Sequence, residues 1–327
     1  MKVLIQRMFS FALISLLAIS LAACGKSTNS QPEATSATTP AQASTKPAST
    51  PADGKITVQD AAGTVELPKK PERIVAMEFS FTDMLVTLGV QPIGVADDSS
   101  PDLFMDSVKS QLNNYKSVGS RYEPNIELIS SLQPDLIIVD INKHKNAIPQ
   151  LKAIAPVLVL DDFQADYNQM LKNYVIVAKA VGKEEEGKKR LSEHQAKVDT
   201  LKKKLKSTNL RVVPAVVNPK GFFAHSDHSY SGSFLAMLGF TDPVKNSAAY
   251  PQITLEQLVE SNPQALFLLP TEKDTIVKQW ETTPIWKKID AVANNKVFTV
   301  ERRDWSLSRG LLGSEKILED IVKNLGE

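Results

Sequence analysis

Short apolar runs alternate with helical patterns along most of the chain after residue 54. In the first half these runs occupy 74–77, 93–96, 136–139 and 157–160, and each has the length and continuous hydrophobicity of a buried strand. Between the first two runs, the stretch 81–88 has helical spacing and ends at Gly89, a residue favoured after a helix C-terminus. This alternation predicts an α/β fold with parallel sheets covered by helices.

The middle of the chain carries a different pattern, long helical stretches without strands. Apolar residues recur at helical spacing from Tyr167 to Val181, and a lysine-rich stretch follows in which Leu191, Val198 and Leu201 share one face. This second stretch predicts one long amphipathic helix over about 184–206. Strand-like runs return at 212–217, 265–269 and 297–300. The chain is therefore predicted to form a lobe at 54–165, a helical region at 166–208 and a second lobe at 209–327.

A short motif occurs once in each predicted lobe. Glu127 stands seven positions before Pro134, and Glu256 stands seven positions before Pro263; each proline leads into an apolar run. Because proline ends a helix and favours extended backbone before it, each motif predicts a short helix followed by a core strand. The equivalent placement indicates that the two lobes are related.

The first 53 residues differ from the rest. Lys2 and Arg7 lead into an apolar run over 8–23 that is too short for a comfortable membrane span. The run ends in Leu-Ala-Ala-Cys at 21–24, which resembles a lipobox, so 1–23 is predicted to be a lipoprotein signal peptide and Cys24 the lipidated residue. Residues 24–53 are rich in Ser, Thr, Ala and Pro, which predicts a disordered tether. A tether of this kind favours a Gram-positive cell surface.

The net charge and the cysteine count exclude some classes of binding partner and cofactor. A formal net charge of +1 argues against nucleic acid as the main partner. Cys24 is the only cysteine, so an intrachain disulfide, a cysteine-cluster metal site and an iron–sulfur cluster are excluded.

Several segments, in their order and spacing, resemble the helical-backbone solute-binding proteins of ABC importers for ferric siderophores, haem and cobalamin. They are RIVAMEFSFTD at 73–83, LGVQPIGVAD at 88–97, VGSR at 118–121, PNIE at 124–127 and PDLI at 134–137. The sequence Glu78-Phe79-Ser80 after the first strand is most similar to the iron(III) dicitrate and hydroxamate branch. The resemblance covers the chain beyond the tether.

This resemblance implies the architecture and the partners. Two Rossmann-like lobes would be joined by a single long α-helix, with the ligand cleft between them. The protein would be a binding protein and not an enzyme, a monomer without a cofactor, whose ligand is a ferric chelate of the citrate type. It would deliver that chelate to ABC transporter permease subunits served by a cytoplasmic ATPase. By position in the motif, Glu127 and Glu256 would dock on the permease.

Ligand-binding residues are expected beyond the carboxyl ends of the strands, where open α/β sheets bind their ligands. The planar guanidinium of arginine presents paired N–H donors that match a carboxylate. We therefore expect Arg121 in the first lobe, and Arg302 and Arg303 in the second, to bind the ligand. Flat side chains suited to a cleft wall are Tyr122 and Trp305. The same rule nominates Glu78 and Phe79 after the first strand and His225 in the second lobe. Arg309 is expected to have a structural role.

Three alternatives remain open from the residues. Haem binding would use Tyr122 or His225 as an axial ligand. Cobalamin is a further ligand of the same fold. A surface metallohydrolase is the remote alternative, because 223–228 (FAHSDH) resembles a zinc-hydrolase motif in which phenylalanine holds the first histidine position.

Overall fold

The computed structural model describes residues 54–326. The predicted signal peptide, the lipidation of Cys24 and the predicted tether lie outside the described residues. The first lobe opens with an antiparallel hairpin of strands β1 (Ile56–Asp60) and β2 (Gly63–Leu67). This hairpin is held against the edge of the following sheet by Ala61 N–H, which donates to Val159 O at 2.9 Å.

The first sheet has five parallel strands. They are β3 (Ile74–Ala76), β4 (Gly94–Val95), β5 (Lys116–Ser117), β6 (Leu136–Asp140) and β7 (Val157–Leu160). Their spatial order is β5-β4-β3-β6-β7. The chain therefore winds outwards from β3 to one edge and then returns to β6, which leaves a crevice at the carboxyl ends of β3 and β6.

The second sheet has the same strand order as the first, but the two strands at one of its edges form antiparallel pairs. Its strands are β8 (Val212–Asn218), β9 (Gly221–Ala224), β10 (Gln252–Ile253), β11 (Ala265–Pro270) and β12 (Val297–Thr299), in the order β10-β9-β8-β11-β12. Strands β8, β11 and β12 are parallel, whereas β9 pairs antiparallel with β8 and β10. The fold class predicted from the sequence, a two-lobe α/β architecture, is confirmed. Strands β9 and β10 are additions that the apolar runs did not predict.

Eleven α-helices cover the sheets in the described part of the chain. They are α1 (Phe79–Thr87), α2 (Asp106–Lys109), α3 (Ile126–Ser131), α4 (Ile148–Lys152), α5 (Tyr167–Ala180), α6 (Glu184–Lys202), α7 (Tyr230–Leu238), α8 (Leu255–Ser261), α9 (Ile276–Trp280), α10 (Asp290–Ala293) and α11 (Leu311–Leu325). None of the helices within 54–326 combines the length and apolar character that a membrane crossing requires.

The long helix predicted over 184–206 is α6, which ends at Lys202. It is fastened to α11 by Glu315, whose Oε1 lies 2.9 Å from His194 Nδ1 and accepts from Arg190 Nη2 at 2.5 Å. Tyr167 at the start of α5 completes the cluster, since its hydroxyl lies 2.7 Å from His194 Nε2. The connecting helix is thus bound to the C-terminal helix through buried polar contacts as well as packing.

The repeated motif takes the same form in both lobes. Glu127 and Glu256 are exposed in the first turns of α3 and α8, and these helices lead into the equivalent strands β6 and β11. A residue with left-handed backbone follows each helix and directly precedes its proline, namely Gln133 with φ 46° and Asn262 with φ 40°. The two acidic groups are therefore presented to solvent in matching positions.

Candidate functional site

A cavity of about 300 Å³ lies between the two lobes, and its first-lobe side chains follow strands β5 and β7. Its first-lobe wall consists of Arg121, Tyr122 and Phe163. The second lobe supplies the remaining side chains, which are Val216, Phe223, His225, Tyr250, Arg302, Ser306, Leu307 and Arg309. The volume falls at the lower end of the range typical of small-molecule sites, and the mixture of apolar walls with a few convergent polar groups is also typical.

Beneath the first-lobe wall lies a buried cluster of charges. Glu78, immediately before α1, is fully buried, with Arg121 Nη1 3.3 Å from its Oε2 and Lys143 Nζ 2.5 Å from its Oε1. Arg121 also donates from Nε and Nη2 to Asp98 Oδ2 at 3.0 and 2.7 Å. Burial would raise the pKa of Asp98, but the hydrogen bonds from Arg121 outweigh it and hold that pKa below its usual value. The guanidinium of Arg121 is therefore fixed before any ligand arrives.

Arg309 joins the two lobes at the base of the cavity. Its Nη2 donates to Asp162 Oδ2 at 2.5 Å, and the same nitrogen lies 3.6 Å from Glu78 Oε2. Burial alone would lower the pKa of Arg309, but Asp162 and Glu78 raise it, so this guanidinium stays charged. The structure supports the expected structural role of Arg309 and also places it on the cavity wall.

Arg302 differs from the other two cavity arginines. Its side chain makes no hydrogen bond or ion pair with any residue of the described chain, and its buried Nε has no partner. Burial and then the charge of Arg121 lower its pKa, because both disfavour the cationic form. A half-buried guanidinium without a carboxylate is a group that an anionic ligand would satisfy.

His225 contributes a neutral imidazole to the same wall. Its Nδ1 lies 2.6 Å from Ser231 Oγ, and its ring meets Tyr250 edge-to-face at 4.9 Å. Burial, together with Arg309 and Arg302, lowers the pKa of His225 to about 3. The imidazole therefore adds hydrogen-bonding capacity at neutral pH without adding a charge.

Tyr122 forms an aromatic wall at the edge of the cavity. Its side chain is 60% exposed, which is unusual for a large ring in this protein. Lys143 Nζ lies 4.9 Å from the centre of its ring, and the guanidinium carbon of Arg121 lies 5.7 Å away. The exposed part of the ring is available for contact with a ligand.

The structure gathers some of the predicted site residues and separates others. Arg121, Tyr122, His225 and Arg302 line the cavity, as expected from their positions after strands. Glu78 and Phe79 lie one layer beneath it, where the guanidinium of Arg121 covers the Phe79 ring at 4.4 Å.

Arg303 and Trp305, which the sequence analysis also expected to contact the ligand, do not line this cavity. Arg303 forms a two-pronged ion pair with Asp106, with both nitrogen–oxygen distances at 3.0 Å. Trp305 is fully buried, stacks on Phe267 at 4.7 Å and donates from Nε1 to Asp320. A turn of π-helix over Arg303–Leu307 turns these two side chains away while Arg302 and Ser306 face inwards.

Several cavity residues, among them Phe163, Val216 and Tyr250, were not individually nominated from the sequence. Phe163 follows β7, so applying the strand-end rule to that strand would have found it. Val216 lies inside β8 and Tyr250 lies in the loop before β10, where no periodic pattern marks them. Their roles depend on how the second lobe packs against the first.

Two other features bear on the choice of site. A larger surface groove, about 510 Å³, lies between the β1–β2 hairpin and the α4–β7 connection. It is away from the carboxyl ends of the strands, where open α/β sheets bind their ligands. Within residues 54–326 no three His, Cys, Asp or Glu side chains are grouped so as to hold a metal ion. The metallohydrolase alternative would require a group of this kind.

Comparison with known proteins gives consistent matches. The sequence model described as periplasmic binding protein matches residues 74–303. The Fe(3+)-citrate-binding protein YfmC of Bacillus subtilis is 41% identical over 269 residues, which cover 82% of this chain and 85% of that protein. The Fe(3+) dicitrate-binding periplasmic protein FecB of Escherichia coli is 36% identical, with 82% and 89% covered.

A solved structure matches the fold over the same region. The crystal structure of Staphylococcus aureus SirA complexed with staphyloferrin B superposes with a TM-score of 0.74 at 27% identity. The match covers 82% of this chain and 98% of the other.

Proposed function

Because this chain belongs to the periplasmic binding protein family, we propose that its cleft captures an anionic ferric chelate, of the iron(III)-citrate type, for an ABC importer. The observation that carries the proposal is Arg302. It is a half-buried cation on the cavity wall with no carboxylate partner in the described chain.

The charges around the cavity favour an anion. Three of the four cations there, Arg121, Lys143 and Arg309, are matched by the three carboxylates Glu78, Asp98 and Asp162. Arg302 is the cation in excess. A chelate that displays carboxylates would supply the missing negative charge and also gain the fork geometry of a guanidinium.

A titration of the purified protein tests this function. Isothermal titration calorimetry would compare ferric citrate with iron-free citrate, a ferric hydroxamate, a ferric catecholate, haem and cobalamin. We expect one-to-one, sub-micromolar binding of ferric citrate and at least tenfold weaker binding of the other compounds. A Soret band on haem addition, with no heat from any ferric chelate, would instead favour the haem alternative.

Delivery to the membrane is the second part of the proposal. Lipidated Cys24 would hold the protein at the extracytoplasmic face and so raise its effective concentration near the permease. The matching exposure of Glu127 and Glu256 supports a docking role for both, one on each lobe. A monomer on a Gram-positive surface fits this arrangement.

The docking role predicts a separation of binding from import. A protein with both Glu127→Ala and Glu256→Ala should bind ferric citrate with wild-type affinity but lose most iron uptake in cells. The matched control replaces two other exposed glutamates, Glu123 and Glu260, with alanine, and should transport normally. Normal uptake by the first double variant would exclude the docking role.

A further inference from the structure

A buried carboxyl group faces the beginning of helix α11 from the opposite lobe. Asp83, in the middle of α1, has no exposed surface, and neither of its carboxylate oxygens has a hydrogen-bond partner of good geometry in residues 54–326. The backbone N–H groups of Leu312 and Gly313 in α11 nevertheless approach it closely enough to lower its pKa. Since an isolated buried carboxylate weakens a fold, its position requires an explanation.

The start of α11 lacks a capping side chain of its own. The residue before the helix is Gly310, and no side chain there accepts from the first free N–H groups. A Cβ atom built on Gly310 would come within 2.3 to 2.6 Å of the Asp83 carboxyl atoms. A side chain at 310 would therefore displace the Asp83 carboxyl, which occupies the place where a local capping group would lie.

Several neighbouring groups act on the pKa of Asp83 in opposite directions. Burial raises its pKa from 3.8 to about 7. Arg190 of α6 and the two N–H groups of α11 oppose that rise, and Glu315 of α11 adds to it. The other titratable groups around it are Tyr174 of α5, whose hydroxyl lies 3.2 Å from Thr87 Oγ1, and Tyr230 of α7, whose hydroxyl donates to Gly310 O at 2.6 Å.

Both partners of this contact lie next to the cleft. Asp83 is four residues after Phe79, which supports Arg121, and Gly310 directly follows Arg309. We propose that Asp83 is the N-cap of α11 supplied from the first lobe, and that this contact positions the segment carrying Arg302 and Arg309 in the cavity. Asp83 is thus a positioning residue, which acts on the cleft through the segment that its carboxyl group holds in place.

The contact itself can be tested without any ligand. In ¹⁵N-labelled protein, the amide shifts of Leu312 and Gly313 should titrate between pH 5.5 and 8.5 with a midpoint near 7, as the Asp83 carboxyl ionises. The same amides should not show this step in Asp83→Asn, which has the same shape but no ionisation. Flat shifts in the wild type, or an identical step in Asp83→Asn, would overturn the proposal.

The effect on the cleft rests on the proposed function and is measured by calorimetry with ferric citrate at pH 7.5. Asp83→Ala should weaken binding about fivefold to tenfold, whereas Asp83→Asn should restore most of the affinity, because asparagine caps helices as well as aspartate does. Wild-type affinity in Asp83→Ala would overturn the positioning role. If the wild type itself binds no ferric chelate, the proposed function fails, while the amide titration still decides whether the cap exists.

Discussion

The two walls of the cleft handle charge in opposite ways. On the first-lobe side, Arg121 and Lys143 are already paired with Glu78 and Asp98 in a buried cluster. On the second-lobe side, Arg302 has no such partner in the described chain, and the histidine beside it is neutral. The cations of the first-lobe cluster are paired without a ligand, whereas Arg302 on the second-lobe wall would be paired only by a bound ligand.

Because of this difference, we expect the first-lobe cluster to contribute to the stability of the fold and the second-lobe wall to contribute to ligand recognition. The first-lobe cluster must be assembled during folding, and removing one member would leave its partners buried and uncompensated. The second-lobe wall can lose its unpaired cation with little effect on the fold, because no protein group depends on it. Substitutions on the two sides should therefore affect different measurements.

The largest expected effect is on the stability of the first lobe. Glu78→Ala leaves Arg121 and Lys143 without their shared carboxylate, and we expect a loss of about 3 to 5 kcal/mol in the free energy of unfolding. Urea denaturation measures this loss. The control Glu66→Ala breaks an exposed pair with Lys55 and should cost less than about 1 kcal/mol. Equal losses in the two variants would show that the buried cluster has no special role.

The next largest effect is on affinity at the second lobe. Arg302→Ala should weaken ferric citrate binding by roughly tenfold to a hundredfold, the loss expected for hydrogen bonds to a charged group, with a small change in stability. The neighbouring variant Arg303→Ala is the matched control, since Arg303 pairs with exposed Asp106 outside the cavity. If the two variants weaken binding equally, Arg302 does not recognise the ligand specifically.

The smallest effect is a pH dependence of stability from His225. Its pKa of about 3 in the folded protein lies below the ordinary 6.5, so the unfolded chain takes up a proton that the folded chain does not. Stability should fall as the pH drops below 6.5, by up to about 1.4 kcal/mol per pH unit from this group.

The matched variants isolate that contribution. Urea denaturation between pH 6.5 and 4.5 should show a shallower decline in His225→Asn than in the wild type. His228→Asn, which replaces an exposed histidine three residues away, should follow the wild-type curve. Identical curves for all three proteins would mean that folding does not lower the pKa of His225.

The sequence predicted the parallel strands except the two-residue β5, because strands buried on both faces appear as continuous apolar runs. It also located the matching Glu127 and Glu256 helices, since a proline at a fixed distance is a strong local signal. Strands β9 and β10 were missed because they are short and antiparallel, without a separate apolar run. Site residues were found where they lie a few residues beyond the end of a predicted strand, as Arg302 does after β12.

Side-chain direction explains the remaining differences between the site residues expected from the sequence and those that line the cavity. Arg302, Arg303 and Trp305 are close in sequence, yet only Arg302 faces the cavity, because the π-helical turn at Arg303–Leu307 decides which way each side chain points. No residue pattern in the sequence encodes that turn. Tyr250 reaches the cavity from a loop whose position depends on packing between the lobes.

A crystal structure of the protein saturated with ferric citrate tests the central claim most directly. We predict the chelate between the lobes, with at least one of its carboxylates within hydrogen-bonding distance of Arg302 and its flank against Tyr122, while Arg121 keeps its contacts with Glu78 and Asp98. A chelate bound outside this cavity, or bound inside it without contact to Arg302, would contradict the division of roles between the two walls.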